Sequence, residues 1–84
     1  MTHRVLVTGA AGYLGGTLVQ SLAGRAARDG DPARLVAGDV REVPVERRLP
    51  GVEYVTVDVR APGLAAVLTE HRIDTVVHLA AIVT

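Results

Sequence analysis

Glycine returns at every third position of "VTGAAGYLGG", residues 7 to 16, as Gly9, Gly12 and Gly15. The stretch before it, "RVLVT" (4–8), is β-branched and apolar, as a fully buried strand would be. The stretch after it has a helical pattern. Glycines at such a junction have a mechanical use. Gly9 lets the chain turn sharply out of the strand. Gly12, lacking a Cβ, lets a bulky ligand come close to the backbone. Gly15 lets the helix pack closely on the sheet. A helix N-terminus presents N–H groups and the positive end of the helix dipole, so the ligand is an anion. The amides of Tyr13 and Leu14 are the expected donors, and a dinucleotide pyrophosphate is the simplest ligand. The spacing is T-G-x-x-G-x-x-G, one residue longer than the common G-x-G-x-x-G fingerprint. A P-loop is excluded, because the G-K-[ST] ending is absent.

Two carboxylates end later apolar runs. Asp39 closes "RLVAGD" (34–39), with Val40 next to it. There a carboxylate can accept bonds from both hydroxyls of an adenosine ribose; the blander alternative is a solvated turn aspartate. Asp39 also bears on the choice of cofactor. A 2′-phosphate 4 Å from it would cost about 4 kcal/mol per charge pair at an effective dielectric near 20. NAD is therefore favoured over NADP, with Arg41 partly offsetting the repulsion. Asp58, followed by Val59, closes "VEYVTVD" (52–58). Taken alone, its carboxylate serves equally well to start the next helix or to bind a base.

Other reactive side chains form no recognisable apparatus. The histidines His3, His71 and His78 have no metal-ligand spacing, and there is no cysteine, so no metal site is expected. His78 falls in an apolar strand, where a lone histidine is more often a satisfied core residue than a catalyst. Ser21 is the only serine and lies in the first helix. The tyrosines are Tyr13 and Tyr54. All nine basic residues are arginine, so no Tyr-x-x-x-Lys pair exists. No catalytic residue is assigned.

The elements that must position these residues read as follows. After the first strand, Leu14, Leu18, Leu22 and Ala26 recur every four residues over about 12–28, one face of an amphipathic helix. Gly30 and Pro32 stop it. "RLVAGD" is the second strand. Residues 41–51, with two prolines and a charge cluster, form a surface loop with room for one helical turn. "VEYVTVD" is the third strand. Pro62 opens a second helix, with Leu64, Val67, Leu68 and His71 on one face. "IDTVVHLAAIV" (73–83) is the fourth strand, and Leu79, Ala80 and Ala81 fall at its carboxyl edge. Strands alternating with helices imply an α/β fold with a parallel sheet and right-handed crossovers. The order β-α-β-loop-β-α-β is the first half of a doubly wound, Rossmann-type fold, with predicted strand order 3-2-1-4 and a helix on each face. With one helix per face, part of the sheet lacks a cover, so the chain is expected to be a piece of something larger.

The composition narrows the functional classes. The 84 residues make one small domain, with a core of Val, Leu and Ala because Phe and Trp are absent. Nine acidic and nine basic residues cancel, and no basic stripe points to nucleic acid. The longest apolar run is far short of the roughly 20 residues of a membrane span. A cytoplasmic protein with no membrane partner is the default expectation.

Four segments in order, "VTGAAGYLGG", "GDV" (38–40), "VDV" (57–59) and "VVHLAA" (76–81), resemble the extended short-chain dehydrogenase/reductase superfamily, specifically its NAD-dependent epimerases and dehydratases. The resemblance covers the whole chain but only about the N-terminal third of a typical member. It implies an NAD-binding oxidoreductase. It also implies that Asp58 and the Val59 amide meet the adenine, and that Leu79, Ala80 and Ala81 flank the cofactor riboses and lead toward the nicotinamide. Members use a Tyr-x-x-x-Lys pair with a nearby Ser or Thr. That machinery, and the part that binds a small-molecule substrate, is expected outside residues 1–84, so this segment alone is expected to be inactive. The alternatives are a non-catalytic NAD(P)-sensing regulator and an inert gene fragment. The residues do not specify an oligomeric state.

Overall fold

The computed structural model describes residues 2–79. Seven elements follow in order: β1 (Arg4–Thr8), α1 (Tyr13–Asp29), β2 (Arg34–Asp39), a short 3₁₀ turn (Val45–Arg47), β3 (Val52–Thr56), α2 (Gly63–Glu70) and β4 (Thr75–His78). The four strands form one parallel sheet in the order β3-β2-β1-β4. This is the order expected from the sequence. β2 lies on one side of β1 and β4 on the other, so right-handed crossovers place α1 and α2 on opposite faces.

Side chains of β1 and β2 are buried on both faces. Val5, Val7, Leu35 and Ala37 face α1 and pack with Val19 and Ala10. Leu6 and Val36 fill the opposite face with no exposed surface. The outer strands are less buried, and β4 alternates half-buried and exposed positions. In β4, Val76 on the face away from α1 is 47% exposed, so this part of the sheet is uncovered, as the two-helix arithmetic anticipates.

α1 differs from its sequence reading in one respect. Leu14 was expected on the packed face but is 68% exposed. At 3.6 residues per turn, a strict every-fourth-residue row drifts about 40° around the helix at each step. The row Leu14-Leu18-Leu22-Ala26 therefore begins off the sheet and winds onto it. The buried positions of the helix are Gly15 and Val19, with Leu18, Leu22 and Ala23 partly buried beside them. Gly30 ends the helix at φ +74°, and its N–H donates to the Ala26 carbonyl at 2.9 Å. A residue with a Cβ would be strained in that left-handed cap.

Tyr54, in β3, has a structural task. Its hydroxyl accepts the Leu49 N–H at 2.9 Å, and the Arg48 guanidinium lies over its ring at 5.4 Å. The loop before β3 is anchored in this way. At the same, amino end of the strands, Arg34 bonds to Glu53, and Glu53 also meets His71 Nδ1 at 3.3 Å.

Candidate functional site

A cleft of about 410 Å³ opens at the carboxyl ends of the strands. In a doubly wound sheet, ligands bind at this edge, where the strand order reverses direction between β1 and its two neighbours. Six of the expected residues line it: Gly9, Gly12, Asp39, Val40, Val59 and Leu79. Tyr13, Leu14 and Gly15 stand beside it in the first turn of α1. Ala80 and Ala81 lie outside the described residues.

Each of the three glycines answers to a different demand. Gly9 has φ +76°, a left-handed conformation that L side chains rarely adopt. Gly15 is closed to any side chain. A Cβ there would overlap the Gly9 carbonyl oxygen and lie 2.6 Å from the Gly9 carbonyl carbon and 2.9 Å from Ala10 Cα. The close packing it permits is thus against the Gly9–Ala10 turn, not against the sheet as the sequence suggested. Gly12 is different. Its φ is −81°, and a Cβ would meet only the Gly9 oxygen, at an ordinary 3.4 Å. Nothing in the folded chain requires glycine at this position, although it lines the cleft.

Gly12 is also the N-cap of α1. The helix has no side-chain cap and no acidic residue in its first turn. The first N–H groups of a helix have no intrahelical acceptor. The amides at Tyr13 and Leu14 are thus the donors available to an anion, while their side chains are 86% and 68% exposed.

Asp39 is the charged group most closely built into the cleft, at 8% exposed. Its Oδ2 accepts the Ala11 N–H at 2.9 Å, and its Oδ1 accepts the Arg41 N–H at 3.0 Å. The Arg41 guanidinium approaches Oδ1 at 3.7 Å. A carboxylate oxygen has about two acceptor sites. One on each oxygen therefore remains open to a further donor such as a hydroxyl, with Arg41 competing weakly at Oδ1.

Asp58 is placed otherwise. Its Oδ1 accepts from the Arg60 backbone N–H at 2.9 Å and from Arg60 Nε at 3.1 Å, and its Oδ2 accepts from the guanidinium at 3.1 Å. These bonds from Arg60 hold its carboxyl below the usual carboxylate range. The Asp58 carbonyl accepts the Ala61 N–H at 2.9 Å. In this geometry Asp58 shapes the turn into α2, while Val57 and Val59 on either side of it line the cleft.

At the β4 end, the Leu79 N–H reaches both the carbonyl and the hydroxyl of Thr8, each at 3.2 Å. The Thr8 hydroxyl lies 2.7 Å from His78 Nδ1. His78 is satisfied, but on the exposed side of β4 and not in the core. Thr8, Gly38 and Val57 also line the cleft and were not assigned from sequence; Arg41, read there only as a charge offsetting Asp39, lines it too. Thr8 left one signal: it is a polar side chain closing the apolar run Val5–Val7, directly before Gly9. Among the described residues, no three His, Asp or Glu side chains gather to hold a metal, and no helix is long and apolar enough to cross a membrane.

Comparison with known proteins agrees with this geometry. Residues 5–84 match the NAD dependent epimerase/dehydratase family. An uncharacterized protein of Mycobacterium tuberculosis (strain H37Rv) is 39% identical over 79 residues, covering 92% of this chain and 20% of its own length. A UDP-glucose-4-epimerase from Stenotrophomonas maltophila, solved with NAD and formylated UDP-arabinopyranose, superimposes with a TM-score of 0.75 at 31% identity, covering 98% of this chain and 25% of that one. L-threonine 3-dehydrogenase from Trypanosoma brucei gives 0.74 at 30% identity, covering 100% and 26%. The chain thus spans a fifth to about a quarter of the length of these relatives. With the glycine turn, the strand-end aspartate and the 3-2-1-4 sheet all in place, the chain belongs to the NAD dependent epimerase/dehydratase family.

Proposed function

We propose that this chain is the N-terminal part of a Rossmann-type cofactor domain and holds the adenosine diphosphate end of NAD in the strand-end cleft. One observation carries the reading. A glycine that the fold itself does not need, Gly12, and a carboxylate with one open acceptor site on each oxygen, Asp39, line the same cavity. The amides at Tyr13 and Leu14 hold the diphosphate, with Gly9 and Gly15 shaping the turn that presents them. The two open sites on Asp39 match two adjacent ribose hydroxyls. Val40, Val57 and Val59 offer apolar surface to the adenine, with the Val59 amide and the one open site on Asp58 Oδ2 within its neighbourhood. Leu79 begins the wall on the side of the nicotinamide ribose. Bound NAD supplies a hydride acceptor; the residues present here bind and orient it.

The reading extends to the complete protein as an NAD-dependent oxidoreductase of the epimerase or dehydratase type. Relatives four to five times longer and the lack of any lysine support placing the catalytic pair and the small-molecule substrate site outside residues 1–84.

Titration of NAD and NADP into the chain, followed by backbone amide NMR, tests the reading. NAD should shift the amides of Gly9 to Gly15 and of Asp39. NADP should bind at least about tenfold more weakly, because its 2′-phosphate meets the Asp39 carboxylate. Equal or tighter binding of NADP would defeat the cofactor preference. Shifts scattered away from the glycine turn would defeat the site.

A further inference from the structure

Asp39 has a second task that does not depend on any ligand. We propose that its carboxylate is a latch that holds the glycine turn in its binding shape, so that one side chain both reads the ribose and positions the diphosphate donors. This rests on the reading of the cleft given above and adds a positioning role to it.

The turn between β1 and α1 has few ties of its own. The Gly12 N–H donates to Gly9 O, and the Ala10 N–H donates to Gly38 O, both at 3.1 Å. The Ala11 N–H points out of the turn and ends on Asp39 Oδ2 at 2.9 Å. The bond spans 28 residues and joins the turn to the exit of β2. Asp39 is anchored at that exit. Its Oδ1 accepts the Arg41 N–H, and its carbonyl accepts the Val57 N–H at 2.9 Å, which binds the exit of β3 as well. A hydrogen bond to a buried ionised acceptor is among the stronger kinds in a protein. With φ +76° at Gly9 and no side chain at Gly9 or Gly12, the turn has wide conformational freedom to lose. The carboxylate is thus placed where it restricts that freedom most.

Two variants separate the latch from ribose recognition. Asp39→Ala removes both oxygens. Asp39→Asn removes the same charge but keeps one oxygen acceptor of nearly the same shape. The first measurement is amide hydrogen exchange in the ligand-free chain. Asp39→Ala should speed exchange at Ala11 by about ten- to a hundredfold, while the amides of β1 and β2 keep their protection. Asp39→Asn should fall between Ala and wild type. The second measurement uses an NAD analogue whose adenosine lacks its 2′- and 3′-hydroxyls, so that no ribose bond to residue 39 is possible. The latch predicts tighter binding of this analogue to the Asn variant than to the Ala variant, by several-fold. Two exchange results would overturn it: unchanged Ala11 exchange in Asp39→Ala, or exchange that rises at Ala11 only in step with β1 and β2 in both variants. Equal affinity of the two variants for the analogue would also overturn it. Failure of the wild-type chain to bind NAD would refute the proposed function instead, and the exchange measurement would still decide the latch.

Discussion

Gly12 and Gly15 are three residues apart in one motif, yet the structure sets them opposite fates on substitution by alanine. At Gly15 the new Cβ would overlap the Gly9 carbonyl group and crowd Ala10 Cα at 2.9 Å. All of these are backbone atoms, so no rotamer change relieves the clash. Gly9 is itself committed to a left-handed turn. Either α1 backs away from the turn or the turn opens. Overpacking of this kind costs about 1–3 kcal/mol, and the rigid neighbours put Gly15→Ala at the upper end. For a domain of this size each kcal/mol lowers the melting temperature by about 4–8 °C, so a fall of roughly 12–24 °C is expected. Gly12→Ala meets only an ordinary 3.4 Å contact at φ −81°. It loses some N-cap preference but restricts the unfolded chain, two effects of about 0.5–1 kcal/mol and opposite sign. Its melting temperature should stay within a few degrees of wild type, while NAD binding is lost because the methyl group stands in the diphosphate path. Thermal and urea denaturation followed by circular dichroism, with NAD titration of each variant, checks both. A Gly15→Ala chain as stable as wild type, or a stable Gly12→Ala chain that binds NAD undiminished, would refute the division of labour.

Two further outcomes follow from the packing and the charges. Val19 is 3% exposed, so Val19→Ala should cost roughly 2 kcal/mol, whereas Leu14→Gln should change stability by no more than about 0.5 kcal/mol; a cost at position 14 comparable to that at 19 in chemical denaturation would contradict the placement of α1. Acid should destabilise the chain. Asp31, held by the His3 backbone and ring, Asp58, held by Arg60, and Asp74, held chiefly by the Thr75 hydroxyl, all have pKa values lowered from 3.8. The folded state binds fewer protons than the unfolded one near that pH, so the stabilisation is fully present above about pH 4–5 and is lost as pH falls through the lowered values. Melting curves should be flat above that range and drop below it; a melting temperature constant down to pH 3 would rule out these bonds as contributors.

Much of the architecture was legible in the residues. Apolar runs closed by Thr8, Asp39 and Asp58, alternating with 3.6-residue periodicity, lead to a parallel sheet, and glycine punctuation locates the turn between β1 and α1. Local pattern is enough here because a strand buried on both faces and an amphipathic helix each leave a signature within a few residues of themselves. The cleft was legible only in part. Thr8, Gly38 and Val57 belong to it because three strands end side by side, and no short window of sequence contains that fact. The placement of the Asp58 carboxylate turned on a guanidinium two residues away, which linear position alone does not orient. Leu14 shows the same limit from the other side, since hydrophobicity marks a helical row but not where the row meets the sheet.

From sequence alone come the element types, the strand order and the family of the chain, because these rest on short-range periodicity and on motifs read in order. Tertiary structure alone decides which glycine the fold requires and which it does not, and that the Asp39 carboxylate accepts the Ala11 N–H of the turn it faces. Those properties depend on distances between segments far apart in the chain, 28 residues in the case of Ala11 and Asp39. Such distances are set by how the strands stack side by side, and no residue carries them by itself.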